Sequence, residues 1–99
     1  MAVLSVALGE GFDGDSVVVD VNGRRVFERE GVSTRTQIGL AESFEVRVDG
    51  DAAVVDVQVP SRRASRRIES RLADRLYLDI SLEGDDVVFR TSEEPFGYL

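Results

Sequence analysis

Residues 16–28 read SVVVDVNGRRVFE. Two short runs rich in valine and other strand formers flank Asn22-Gly23. That dipeptide tolerates positive φ at both positions, which a two-residue type I′ hairpin turn demands. The turn sets a register in which Val21 faces Arg24, Asp20 faces Arg25 and Val19 faces Val26. Asp20 and Arg25 then form an exposed cross-strand ion pair, of the kind that contributes ~0.2–1 kcal/mol. Val18 and Phe27 fall on the opposite face from Val19, so both faces of the hairpin are partly apolar.

The same two-residue period extends in both directions. Ala2, Leu4, Val6 and Leu8 share one face of a first strand, and Thr34, Thr36, Ile38 and Leu40 share one face of a strand over 33–40. Residues 43–59, SFEVRVDGDAAVVDVQV, read as a second hairpin around Asp49–Ala52, with Val48 facing Ala53, Val46 facing Val55 and Phe44 facing Val57. Residues 75–91 read as a third hairpin, with Leu82 facing Val87, Ile80 facing Phe89 and Leu78 facing Thr91. Matching apolar faces across a turn support these registers. Pro60 and Pro95 end strands, because proline cannot donate to a ladder.

Residues 61–74, SRRASRRIESRLAD, fit two patterns. Ala64, Ile68, Leu72 and Leu76 recur every four residues, as on one stripe of a helix. Alternation gives a strand instead, with Arg66 poorly placed on its apolar side. Strands on both flanks favour the strand, and the helix stays open as the alternative. The expected architecture is all-β: an antiparallel two-layer β-sandwich of about eight or nine short strands in one domain, 1–99. In strand count and spacing this is similar to immunoglobulin-like or transthyretin-like modules. The Cys…Trp…Cys pattern of the immunoglobulin family is absent.

Composition narrows the chemistry. The chain has neither cysteine nor histidine. Disulfides, thiolate metal sites, His-based metal sites and the usual Ser-His or Cys-His nucleophiles are thereby excluded. No stretch approaches the ~20 apolar residues of a membrane span. The N-terminal apolar run lacks the basic segment of a secretory signal. These features lead to the expectation of a soluble, cytoplasmic protein. Net charge is −7, and every basic residue is arginine. Such acidity argues against nucleic acid as the main partner.

Three features stand out as candidate sites. Residues 61–75 hold six arginines against Glu69 and Asp74, a local charge of +4 that leaves −11 on the rest. Arg62, Arg63, Arg66, Arg67 and Arg71 are therefore candidates for contact with an anionic partner or an acidic face of a second copy, since guanidinium groups grip carboxylates bidentately. The tail, EEPFGYL, places Phe96, Tyr98 and Leu99 at a chain end, where they either cover their own core or enter a partner's groove. The loop GEGFDGDS offers Asp13 and Asp15 as hard oxygen ligands for Ca²⁺, to which the turns at Asp49–Asp51 and Glu83–Asp86 could add. Outward-facing Val18, Phe27, Val54 and Val88 add an expected apolar patch. Together these support a non-enzymatic binding or assembly module acting through a protein partner or self-association, such as a homodimer. A loop-end module for Ca²⁺ or an anionic ligand is the alternative. A glycoside hydrolase working with carboxylates alone comes third, because no carboxylate pair is singled out. No cofactor is expected.

Overall fold

The computed structural model describes residues 2–35, 37–72 and 74–95. Eight strands form in chain order: β1 (Ala2–Leu8), β2 (Asp15–Val21), β3 (Arg24–Val32), β4 (Glu42–Val48), β5 (Ala52–Val59), β6 (Ala64–Arg71), β7 (Arg75–Glu83) and β8 (Asp86–Ser92). They make two four-stranded sheets, ordered β4-β1-β7-β8 and β3-β2-β5-β6. We call these sheet A and sheet B. All neighbours are antiparallel except β1 and β7, which run parallel. The expected two-layer β-sandwich is thus observed.

The core follows from alternation. Leu4, Val6 and Leu8 of β1 and Leu78, Ile80 and Leu82 of β7 point inward from sheet A, and all are buried. Val17, Val19 and Val21 of β2 meet them from sheet B with Val55, Val57 and Val59 of β5, again all buried. These strands are the two central ones of each sheet, so the most apolar alternations occupy the positions with most cover.

Several strand partners differ from the sequence reading. Residues 43–59 do not form a hairpin. Phe44, Val46 and Val48 sit opposite Val6, Leu4 and Ala2 in sheet A. Val55 and Val57 lie in sheet B, between β2 and β6. The chain arches from one sheet to the other at Asp49–Asp51. Two inward faces that match across a turn fit facing sheets as well as they fit neighbours in one sheet. The strand expected over 33–40 is replaced by a turn closed by a bridge between Arg35 and Leu40. Gly39 has φ +68°, and its N–H donates to the Arg35 carbonyl at 2.8 Å. This segment must carry the chain from sheet B to sheet A, which a straight strand within one sheet does not do. Of its expected inward residues, Thr36 lies outside the described set. Residues 61–74 resolve in favour of a strand, β6, preceded by a single 3₁₀ turn at Pro60–Arg62.

The β2–β3 turn forms as expected, with Asn22 at φ 51° and Gly23 at φ 79°. Val21 faces Arg24 and Asp20 faces Arg25, and the Arg25 Nε lies 3.2 Å from the Asp20 carboxylate. Beyond that a bulge shifts the register, so Val19 faces Phe27 instead of Val26. The slip turns Phe27 toward the core. Its ring stacks on Phe44 of sheet A, with centroids 4.8 Å apart and planes 7° from parallel. β3 and β4 are edge strands of opposite sheets, so this pair closes one long side of the sandwich. In a double-mutant cycle, Phe27→Ala and Phe44→Ala are expected to couple by about 0.5–1.5 kcal/mol. Additive urea-denaturation free energies would show that the stack adds nothing beyond burial.

The expected outward apolar patch is also corrected. Phe27 faces in, and Val18, although outward, is buried between its cross-strand neighbours Glu28 and Gln58. Val54 belongs to the outer face of sheet B and Val88 to that of sheet A. The four residues therefore form no contiguous surface.

Candidate functional site

The arginine segment divides into residues that lock the fold and residues that face solvent. Arg62 belongs to the first group. The Pro60–Arg62 turn ends at Arg63, whose left-handed φ of 52° turns the chain into β6. Arg62 then reaches under the end of the sandwich. Its Nε and Nη2 donate to the two oxygens of Asp15 at 3.0 and 2.9 Å. The same guanidinium donates to the Gly11 carbonyl at 2.9 Å and the Gly84 carbonyl at 2.6 Å. Asp15 is 4% exposed, and it also accepts from the Ser61 hydroxyl at 2.7 Å and the Asp13 amide at 2.9 Å. Burial alone pushes this carboxyl up. The Arg62 hydrogen bond, the Asp13 amide, the Ser61 hydroxyl and the Arg62 charge together overcome burial and hold it below 3.8.

This arrangement bears on the Ca²⁺ candidates. Both Asp15 oxygens face a guanidinium, and Asp13 is exposed. The turn at Asp49–Asp51 adjoins Leu72, whose amide donates to the Asp51 carbonyl, at the far end of β6 from Arg62. Among the described residues, no three carboxylates converge as a metal site would need.

Arg66 also closes the fold. It points inward from β6, where its guanidinium lies 5.5 Å from the Phe89 ring centroid and donates to the Val87 carbonyl at 3.0 Å. β6 and β8 are edge strands of opposite sheets, so Arg66 seals the long side opposite the phenylalanine stack. The sequence reading found Arg66 misplaced on an apolar face; the open seam gives its charged end an acceptor and a ring.

Of the remaining arginines, Arg63 precedes β6, Arg67 and Arg71 lie on its outer side, and Arg75 begins β7. Arg67 faces Asp56 directly across the ladder, with Nε 2.7 Å from the carboxylate. Arg63, Arg71 and Glu69 are exposed, and among the described residues none of the three has an ion-pair partner. Glu69 was not among the sequence candidates. Its signal is its position, two residues from both Arg67 and Arg71 and so on their face of the strand.

Among the described residues, β6 pairs with β5 alone. The Leu72 amide donates to the Asp51 carbonyl at 2.8 Å, continuing the β5–β6 register that sets Ala52 opposite Arg71 and Ala53 opposite Ser70. Backbone groups on an antiparallel strand point alternately to the two sides. Ser70, Ile68, Arg66 and Ala64 therefore direct theirs to β5. Ser65, Arg67, Glu69 and Arg71 direct theirs to the free edge. A cleft of about 550 Å³ runs beside the start of this edge, with Arg63 and Arg66 on one wall and Glu83, Asp85 and Asp86 on the other.

A second concavity, about 530 Å³, lies on the outer face of sheet A between Ala7, Leu40, Phe44, Tyr77 and Pro95. Glu45 and Arg75 at its rim are hydrogen-bonded to each other. The Arg75 hydrogen bond, then its charge, holds the Glu45 carboxyl below its ordinary value. Pro95 is the last described residue, so the candidates Phe96, Tyr98 and Leu99 lie outside the described residues. In no helix of the described residues is there an apolar stretch long enough to cross a membrane. Compared with protein-family models, curated proteins and solved structures, the chain finds no match.

Proposed function

We propose that this chain is a non-enzymatic protein-binding module that accepts a partner strand along the free edge of β6. The observation that carries the reading is the eight-residue edge strand itself, whose outer backbone groups at Ser65, Arg67, Glu69 and Arg71 face away from β5. An unpaired row of N–H and C=O groups is a template for strand addition, in which main-chain bonds give affinity and alternate side chains give selectivity. The side chains here present charges in the order Arg67, Glu69, Arg71 on one face. A partner strand with acid, base, acid at the opposing positions fits them. Edge strand β3 is less suited, because two irregularities interrupt its ladder with β2. Bulges of that kind twist an edge away from pairing.

The test is a titration of the labelled protein with a synthetic strand peptide carrying Glu opposite Arg67 and Arg71 and Arg opposite Glu69. Amide resonances of Ser65, Arg67, Glu69 and Arg71 should shift and gain protection from hydrogen exchange. Glu69→Pro should abolish the effect, because it removes a donor aimed at the free edge while leaving the β5 ladder intact. Shifts confined to the concavity of sheet A, or binding unchanged in the proline variant, would sink the edge reading.

A further inference from the structure

We infer that the partner strand is β6 of a second copy, paired antiparallel about a two-fold axis through Ile68. The inference rests on the edge reading and adds the identity and register of the partner.

Two constraints narrow the register, and strand length completes the choice: of the centres that oppose unlike charges, Ile68 alone faces all four free-edge residues of β6 with one another. The first is backbone phase. Only Ser65, Arg67, Glu69 and Arg71 offer groups at the free edge, so these odd-numbered positions must face one another across the two-fold. The second is charge. Centring the pair on Ile68 sets Arg67 opposite Glu69 of the second copy, Glu69 opposite its Arg67, and Ser65 opposite its Arg71. Shifting the centre to Arg67 sets Arg67 against itself and Arg63 against Arg71. Shifting it to Glu69 sets Glu69 against itself and Arg67 against Arg71. Like charges directly opposite are destabilising and unlike ones stabilising, so the strand pairs favourably with itself at Ile68 and repels itself one step to either side.

The surroundings fit the same register. On the inner face Ile68 meets Ile68 of the second copy, and Arg66 meets Ser70. Arg71 of the second copy arrives beside Ser65, at the mouth of the cleft that carries Glu83, Asp85 and Asp86. The positive charge of the segment is offset within each copy, because Arg62 is held by Asp15 and Arg67 by Asp56. Along the outer face of sheet B the row Arg25, Asp20, Asp56, Arg67 then continues into Glu69 of the second copy. Four facing pairs exchange about eight main-chain hydrogen bonds. The contact covers one strand's edge, so association is concentration-dependent.

Light-scattering mass across a dilution series, up to about 1 mM, decides the matter. The wild type should rise toward twice 10.9 kDa. Arg67→Glu alone sets Glu opposite Glu at two symmetric places, and Glu69→Arg alone sets Arg opposite Arg. Each should raise the dissociation constant at least about tenfold. An equimolar mixture of the two variants should recover the dimer, because every facing pair is again of opposite sign. The doubly reversed Arg67→Glu/Glu69→Arg chain should dimerise with itself. Recovery on mixing has no explanation in lost folding, and matching melting curves of the separate variants check that independently. A wild type that stays monomeric throughout, a dimer indifferent to both reversals, or a mixture that fails to recover would each overturn the second-copy partner. The peptide titration still decides the edge reading in those cases, so the two fail separately.

Discussion

Arg62→Ala is expected to destabilise the fold by about 3–5 kcal/mol, the range for removing one partner of a buried ion pair. The substitution leaves Asp15, 4% exposed, without the guanidinium that meets both its oxygens. The carbonyls of Gly11 and Gly84 lose a donor in the same step. Three chain segments part: the loop before β2, the 3₁₀ turn before β6 and the β7–β8 turn. Asp15→Asn combined with Arg62→Gln removes both charges and should cost less than Arg62→Ala alone, since no uncompensated charge stays buried. Urea denaturation of the three chains measures both differences. An Arg62→Ala loss under about 1 kcal/mol would show that the pair behaves as a surface contact.

The same pair sets an acid limit. The folded-state pKa of Asp15 lies below its ordinary 3.8, so its contribution is fully present above that value and is lost as pH falls through the folded pKa. In Arg62→Ala, burial remains and only the Asp13 amide and the Ser61 hydroxyl still oppose it, so the folded-state pKa of Asp15 lies above its wild-type folded value. That variant therefore loses less stability through Asp15 on acidification than the wild type does. The gap between wild type and Arg62→Ala should therefore narrow as pH drops below 3.8. A gap constant from neutral to strongly acidic pH would show that the loss comes from packing and the carbonyl bonds, with the carboxylate playing no part.

Faces were legible in the sequence, and partners only where a tight turn joins them: Leu82, Ile80 and Leu78 face Val87, Phe89 and Thr91 as expected. Alternation put Leu4, Val46, Val55 and Ile80 inward, and each is inward in the fold. It also suggested that Val46 and Val55 are neighbours, whereas they lie in facing sheets. A two-residue period reports which side of a strand is buried and carries no information about the sheet that buries it. Where turn chemistry fixed the pairing, at Asn22-Gly23 and at Gly84, the expected contacts next to the turn appear: Asp20 with Arg25, and Leu82 with Val87. The bulge beyond Asp20 has no local signature, since the pull of Phe44 on the Phe27 ring comes from an element 17 residues away in sequence. Arg62 shows the same limit. In sequence it belongs with five other arginines, and only the left-handed turn at Arg63 aims it at Asp15. The edge pattern of β6 was written in the sequence as Arg67, Glu69, Arg71. It acquires meaning once the ladder with β5 shows which backbone groups face out.

Gly11→Ala is expected to be the most damaging single-methyl change in the loop between β1 and β2. Gly11 has φ +92°, and a Cβ there would stand 2.0 Å from the Leu82 carbonyl oxygen and 2.8 Å from the carbonyl carbon. No side-chain rotation relieves a clash with backbone. The segment would have to lift off β7, breaking the bond from the Leu82 amide to the Glu10 carbonyl at 2.8 Å. It would also draw the Gly11 carbonyl away from Arg62, so the damage spreads to the ion pair that ties this end together. Gly14, three residues on, is the internal control. Its φ is +65°, yet a Cβ there meets nothing within 4 Å. Gly14→Ala therefore carries only the left-handed backbone penalty, about 1–2 kcal/mol. Gly11→Ala adds the steric conflict and should exceed about 4 kcal/mol, a large share of the ~5–15 kcal/mol that holds a domain folded. Equal losses for the two variants would show that the loop yields freely and that contact with β7 does not fix it. A large excess for Gly11→Ala, with the Arg62 effect shrinking in that background, would show that the close approach and the ion pair act as one clamp on the loop and the start of β2.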